Sequence, residues 1–199
     1  MDSKCKICRR VGEKLFLKGD RCFTPKCAVV RKPYPPGIHT STKKRRGLSE
    51  YGMQLKEKQK LRNLYHLREN QFSTYVRNAM KAQKVDASTK LLESLTLRLD
   101  NVAFEAGFAA SRSIARQLVS HGRVRVNGRK TNVSSYATKV GDIISLTDTS
   151  WKFEDNKNKT PSWITIDPAA QTATVTAIPD TANKTSFNIK LIIEYYART

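Results

Sequence analysis

The chain has 199 residues, room for one or two small domains, and carries 37 Lys and Arg against 17 Asp and Glu, a net charge of +20. With a pI near 10.1 such a chain repels itself, so an anionic partner is expected: RNA, DNA or an anionic membrane. Membrane is the weakest of these, because no run approaches the ~18 apolar residues that a spanning helix needs.

The opening Met1-Asp2-Ser3-Lys4-Cys5 leads into no apolar stretch of the kind a signal peptide requires. The expectation is a chain that stays where it is made, with its thiols reduced. Four cysteines then point to a metal rather than to disulfides. Charge is also uneven. Residues 1–50 hold 14 basic and 4 acidic residues, net +10, whereas 148–199 hold 6 of each. The binding footprint is expected in the first three quarters, and packing in the last.

Residues 1–32 contain Cys5-x2-Cys8-x13-Cys22-x4-Cys27. A Cys-x-x-Cys turn brings two sulfurs together, and the second pair can close a tetrahedral site. A segment of this length has too little core to fold alone, so a metal would stabilise it. Zinc is favoured over an iron–sulfur cluster, since the spacing is not that of bacterial ferredoxins. Four free thiols or a thioredoxin-like redox pair are the weaker readings; no βαβ pattern surrounds the cysteines. Four thiolates leave no open coordination position, so the site reads as structural. Arg9, Arg10, Lys14, Lys18, Arg21 and Lys26 surround it and make it a candidate binding module.

Residues 33–47 run through Pro33-Tyr34-Pro35-Pro36-Gly37 to Lys43, Lys44, Arg45 and Arg46. The prolines argue against regular structure, and the four adjacent cations read as an extended arm that orders on an anionic partner. Ser49 can cap a helix starting at Glu50. Tyr51, Leu55, Leu61, Leu64 and Tyr65 give that helix a rough apolar stripe, with Lys56, Lys58, Lys60 and Arg62 around it. Phe72, Tyr75, Val76, Ala79 and Met80 fall at helical spacing, and Ala87 to Thr96 reads as a third helix with Leu91, Leu92 and Leu95 inward.

From Leu97 the texture changes. A short helix is expected to end at Gly107, and a second to run from Ser111 to about His121, with Gly122 as its left-handed stop. Arg112 and Arg116, four apart, share a face of that helix. Its first free N–H groups and the Ser111 hydroxyl add anion-binding capacity. Asn127-Gly128 between Arg123–Val126 and Arg129–Val133 is a strong hairpin signal, which would bring Arg123 and Arg125 beside the helix. Arg98 is expected to join them from the first helix. Strands are expected at Ile143 to Leu146, Trp163 to Asp167 and Thr172 to Ile178, with a loop at 148–160. Phe187 to Tyr196 fits a helix capped by Asn188, or a strand by its β-branched content; helix is favoured. His39, His66 and His121 are far apart in sequence and form no evident triad, and the chain reads as no enzyme.

Arg98-Leu99-Asp100-Asn101-Val102, Gly107-Phe108-Ala109-Ala110-Ser111-Arg112, Ala115-Arg116-Gln117-Leu118-Val119-x-His121-Gly122 and Val126-Asn127-Gly128 resemble the S-four RNA-binding domain over Leu97 to Leu146. The stretches Glu13 to Gly19, Arg31 to Gly37, Leu48 to Lys60 and Ile192 to Tyr196 resemble the rest of the bacterial S-four family of small-subunit ribosomal proteins. The likeness is weakest from Asp148 to Ser186, where this sequence is shorter and less basic.

The resemblance implies an α+β fold. It comprises a metal knuckle and basic arm (1–47), a helical domain (48–96), an S-four domain of two helices and a small antiparallel sheet with C-terminal strands (97–186), and a C-terminal segment (187–199) returning to the helical domain. It also implies a primary binder of small-subunit rRNA at a multi-helix junction. Such a protein nucleates assembly near the mRNA entry channel, beside a protein of the fifth family, and affects translational accuracy. Some members repress their own mRNA. The place implied is the ribosome, in the cytoplasm or in an organelle of bacterial descent. Asp100, Ala115, Gly122, Asn127 and Gly128 enter the candidate RNA-binding set through this likeness, beside the cations named above.

Overall fold

The computed structural model describes residues 3–37, 47, 49–82, 85–147, 161–179 and 187–198. The arm residues Lys43, Lys44, Arg45 and Arg46, and the expected loop 148–160, lie outside them. In chain order the helices are α1 (Lys4–Val11), α2 (Ala28–Arg31), α3 (Glu50–Leu64), α4 (Glu69–Met80), α5 (Ala87–Thr96), α6 (Leu99–Glu105), α7 (Arg112–Ser120) and α8 (Ile189–Ala197), with a 3-10 turn at Gly19–Cys22. The strands are β1 (Val124–Val126), β2 (Arg129–Thr131), β3 (Ile143–Leu146), β4 (Ile164–Asp167) and β5 (Thr172–Val175). The chain divides into two compact units, Met1–Ser88 with Thr185–Thr199, and Thr89–Lys184.

In the first unit, Ser49 caps α3 as expected, its Oγ accepting from Gly52 N–H at 3.2 Å. The buried face of α3 keeps only part of the expected apolar stripe, with Leu61 buried and Leu64 packed on the small N-terminal core. Tyr51 is exposed, and the helix buries Gln54, Lys58, Lys60 and Leu61. Burial of these polar side chains is compensated by partners: Gln54 donates to Glu194 at 3.2 Å, and Lys58 to Glu69 at 2.7 Å. The Lys58 ammonium also lies 4.3 Å from the centre of the Tyr195 ring. Both Tyr195 and Glu194 belong to α8, the helical alternative for the C-terminal segment, which lies against α3 and α4. Phe72, Val76 and Ala79 of α4 and Ile189 and Ile192 of α8 are buried. A smaller core joins Cys8, Val11, Leu15 and Leu17.

The second unit packs α6 and α7 on an antiparallel sheet of order β2-β1-β3-β5-β4. Leu99, Val102, Phe104, Phe108, Ala115, Leu118 and Val119 meet Val124, Val126, Ile144, Trp163, Ile164 and Val175. Burying each large apolar side chain contributes roughly 1.5–3 kcal/mol. Asn127 and Gly128 have φ +50° and +78°, the double left-handed turn that matches strand twist in a two-residue hairpin. The Asn127 side chain ties this turn to β3: its Nδ2 donates to Asp142 at 2.9 Å and its Oδ1 accepts from Ile143 N–H at 2.9 Å.

Candidate nucleic-acid interface

The cysteines are brought together by helices rather than by a knuckle turn. Cys5 and Cys8 lie three apart on α1, Cys22 ends the 3-10 turn, and Cys27 immediately precedes α2. All four are free thiols and all line one cavity of about 20 Å³, with Lys4, Leu17, Lys18, Arg21, Ala28 and Val29. Burial first, then the neighbouring sulfurs, pushes the Cys8 thiol up. Burial, with Lys18 adding to it, pushes the Lys4 ammonium down. Among the described residues no group of three or more His, Cys, Asp or Glu side chains stands in metal-holding geometry. The four cysteines share the lining of this cavity with three cations, Lys4, Lys18 and Arg21.

Of the cations around this site, Arg10, Lys14, Lys18 and Arg21 are exposed. Arg9 is used internally. Its guanidinium donates to the carbonyls of Lys32 (3.2 Å), Tyr34 (3.0 Å) and Pro35 (3.3 Å) and lies 4.8 Å from the Tyr34 ring centre, so it fastens the proline-rich turn to α1. On α3, Lys56 is half-buried. Lys60 requires a correction: at 3% exposure it is inside the unit, 2.6 Å from Glu13 and over the Phe187 ring. Arg62 bonds to Glu69 at 2.9 Å. That carboxylate also accepts from Lys58 and the Tyr196 hydroxyl. Burial raises the Glu69 pKa, but Lys58, Tyr196 and Arg62 outweigh it, and the carboxyl is held below its ordinary range. The Tyr196 hydroxyl is pushed up, by burial and then by Glu69.

The motif residues of the second unit sort into two groups. Arg98 and Asp100, expected to face RNA, are interior: Arg98 is 1% exposed, and its Nε and Nη2 donate to the two Asp100 oxygens at 3.0 and 2.7 Å. Tyr136 and Ser134 carbonyls accept from Leu99 and Asp100 N–H, so this forked pair anchors the start of α6 to the 134–138 loop. Ser111, 1% exposed, and Ala115, fully buried, likewise give α7 its packing rather than a contact surface. Arg112 donates to Asn101 at 2.8 Å and Glu105 at 2.7 Å and lies over the Phe104 ring at 4.4 Å, which fixes α7 to α6. Arg116 is half-buried on the same helix.

The exposed group is the hairpin. Val124 and Val126 point into the core, and Arg123, Arg125, Arg129 and Lys130 are exposed. The register pairs Arg125 directly with Lys130. Among the described residues no carboxylate pairs with either. Like charges at directly opposed positions destabilise a sheet, so this pair acts against the fold of the free protein. Gly122 ends α7 with φ +67°, and an added Cβ would collide with Cε of Lys130. The Lys130 stem therefore passes closely over Gly122. Neither Arg129 nor Lys130 was among the sequence-derived candidates. Both were legible from the turn, since residues equidistant from Asn127-Gly128 must face each other.

Comparison with known proteins agrees with this geometry. The Ribosomal protein S4/S9 N-terminal domain matches residues 1–96, and the S4 domain matches residues 97–144. Small ribosomal subunit protein uS4 of Syntrophomonas wolfei is 46% identical over 206 residues, covering 99% of this chain and 98% of its own. The uS4A protein of Myxococcus xanthus is 44% identical, covering 98% and 97%, and uS4 of Caldicellulosiruptor bescii 46%, covering 98% and 96%. With the helix pair, the antiparallel sheet and the Asn-Gly hairpin of the S4 domain in place, and likeness of this degree over nearly the whole length, the chain belongs to the uS4 family of small ribosomal subunit proteins.

Proposed function

We propose that this chain is a structural constituent of the small ribosomal subunit that binds small-subunit rRNA. The observation that carries the reading is the Arg125–Lys130 couple on the exposed face of an S4-type hairpin, with no carboxylate partner among the described residues. Two cations held opposite each other are unfavourable in the free protein and favourable when phosphates lie across them. RNA duplexes hide their base edges, so a rigid face of spaced cations reads shape and phosphate position. A helical junction offers phosphates from several directions, which suits cations distributed over the hairpin and the α1 region. The place of action is the ribosome, in the cytoplasm or an organelle of bacterial descent. No helix among the described residues is long and apolar enough to cross a membrane.

The finer parts of the proposal rest on the family likeness. They are a primary role in assembly, a position near the mRNA entry channel, contact with a protein of the fifth small-subunit family, an influence on decoding accuracy, and binding to its own mRNA. The role is one of binding and positioning, without catalysis. Co-sedimentation with small subunits is the first test. The second is competition between junction RNA and duplex DNA at equal salt; equal affinity for the two would overturn the reading.

We also propose that Cys5, Cys8, Cys22 and Cys27 hold one Zn2+, with an iron–sulfur cluster as the alternative. The ion would supply folding energy to a segment whose own core is small. Metal analysis with an optical spectrum distinguishes them: one zinc per chain without visible absorption supports zinc, and iron with sulfide absorption overturns it.

A further inference from the structure

We propose that Phe16 and Phe23 form a platform on which an unpaired base of the bound RNA stacks, an inference that rests on the RNA-binding function above. The two rings are in contact, their centroids 4.9 Å apart at 32°, yet Phe16 is 37% and Phe23 43% exposed. Leu15 and Leu17, on either side of Phe16, are both buried in the small core with Cys8 and Val11. The apolar residues of this segment are thus divided, two inward and an aromatic pair left at the surface, where water contact forfeits the gain from burial. Phe16 also has φ +50°, the left-handed region where a bulky side chain crowds the backbone. Strain kept at an exposed aromatic is a reason to look for a ligand.

The charge around the pair selects the ligand. Lys14 and Lys18 flank Phe16 two residues away, Arg21 precedes Phe23 by two, and all three are exposed. Lys18 and Arg21 also line the cavity beside the rings' segment. An apolar protein partner would have no use for these cations. A nucleotide uses both features, its base on the ring faces and its phosphate on the ammonium and guanidinium groups. Bases unstacked at a junction or bulge expose a free face for this purpose.

The test uses the full chain and a transcript of small-subunit rRNA that carries a multi-helix junction. Phe16→Leu with Phe23→Leu keeps the segment apolar but removes the rings. Affinity is expected to fall by roughly 5- to 150-fold, the range for one stacked base, with the salt slope unchanged because no cation is lost. Phe16→Trp with Phe23→Trp is expected to restore binding. In the single variant Phe23→Trp, the added indole fluorescence, taken relative to the wild-type chain, is expected to be quenched when RNA binds. This reading does not depend on the leucine variant folding. Wild-type affinity in the leucine pair, no rescue by tryptophan, or an unquenched indole would each overturn the platform. If the wild-type chain itself shows no preference for this RNA over duplex DNA, the function reading fails, which the wild-type measurement identifies separately.

Discussion

Replacing Arg125 and Lys130 together by alanine is expected to weaken RNA binding while leaving the fold at least as stable. The two residues are direct cross-strand partners in the β1–β2 ladder, with Cβ atoms roughly 4.5–5.5 Å apart in such pairs. Removing like charges at that separation is expected to raise stability by about 0.2–1 kcal/mol, or to leave it unchanged. If each cation covers one phosphate, the slope of log affinity against log salt falls by about 0.7–0.9 per contact, so by about 1.4–1.8 for the pair. Over a fourfold range of salt, the ratio of wild-type to variant affinity then changes by roughly 7- to 12-fold. A filter-binding series at several salt concentrations, with urea unfolding in parallel, measures both effects. An unchanged slope would refute the assignment of this face to phosphate. A measurable loss of stability would refute the claim that the pair is unfavourable in the free protein.

Arg98→Ala is expected to cost about 3–5 kcal/mol, because it strands the buried Asp100 carboxylate; urea unfolding checks it, and a cost under about 1 kcal/mol would show that the pair is solvated. Gly122→Ala is expected to destabilise by roughly 1–2 kcal/mol through its left-handed backbone. Lys130→Ala in the same chain should return little of that loss, since the lysine end can move and the backbone cannot. Arg112→Ala is expected to lower stability as well as affinity, because it releases Glu105 and Asn101; a change in RNA affinity with no change in the unfolding midpoint would contradict this. The depressed Glu69 pKa means that the folded state binds its proton less readily than the unfolded chain. Its contribution is therefore fully present above the ordinary carboxylate range and is lost as pH falls through the lowered folded value. In Glu69→Gln that acid-dependent part of the unfolding curve is expected to vanish, and an identical pH profile in the two proteins would count against the Glu69 cluster.

Local order was largely legible. Ser49 as a cap, the inward Leu91, Leu92 and Leu95, the α7 stop at Gly122 and the Asn127-Gly128 hairpin all follow from rules that span a few residues. Which charged side chains face outward was not legible in the same way. Arg98, Lys60 and Arg112 have the composition of a binding surface, but each meets a carboxylate delivered by the fold: Asp100 held by the 134–138 loop, Glu13 from beyond α1, and Glu105 from α6. The stripe expected on α3 held at Leu61 but not at Tyr51, because α8 supplies Glu194 and Tyr195 to the polar face of that helix from more than a hundred positions away.

The sequence by itself determined that this chain is basic, that its charge is concentrated away from its C-terminal quarter, and that a helix pair leads into an Asn-Gly hairpin. Those properties depend on composition and on the short-range geometry of turns and caps. Only the tertiary structure decided which cations are spent on internal partners and which remain for a phosphate. It also decided that the Lys130 stem passes closely over Gly122 at the end of α7. The physical reason is that a charge's role is set by what lies within a few ångströms of it, and in a folded chain those neighbours come from anywhere in the sequence.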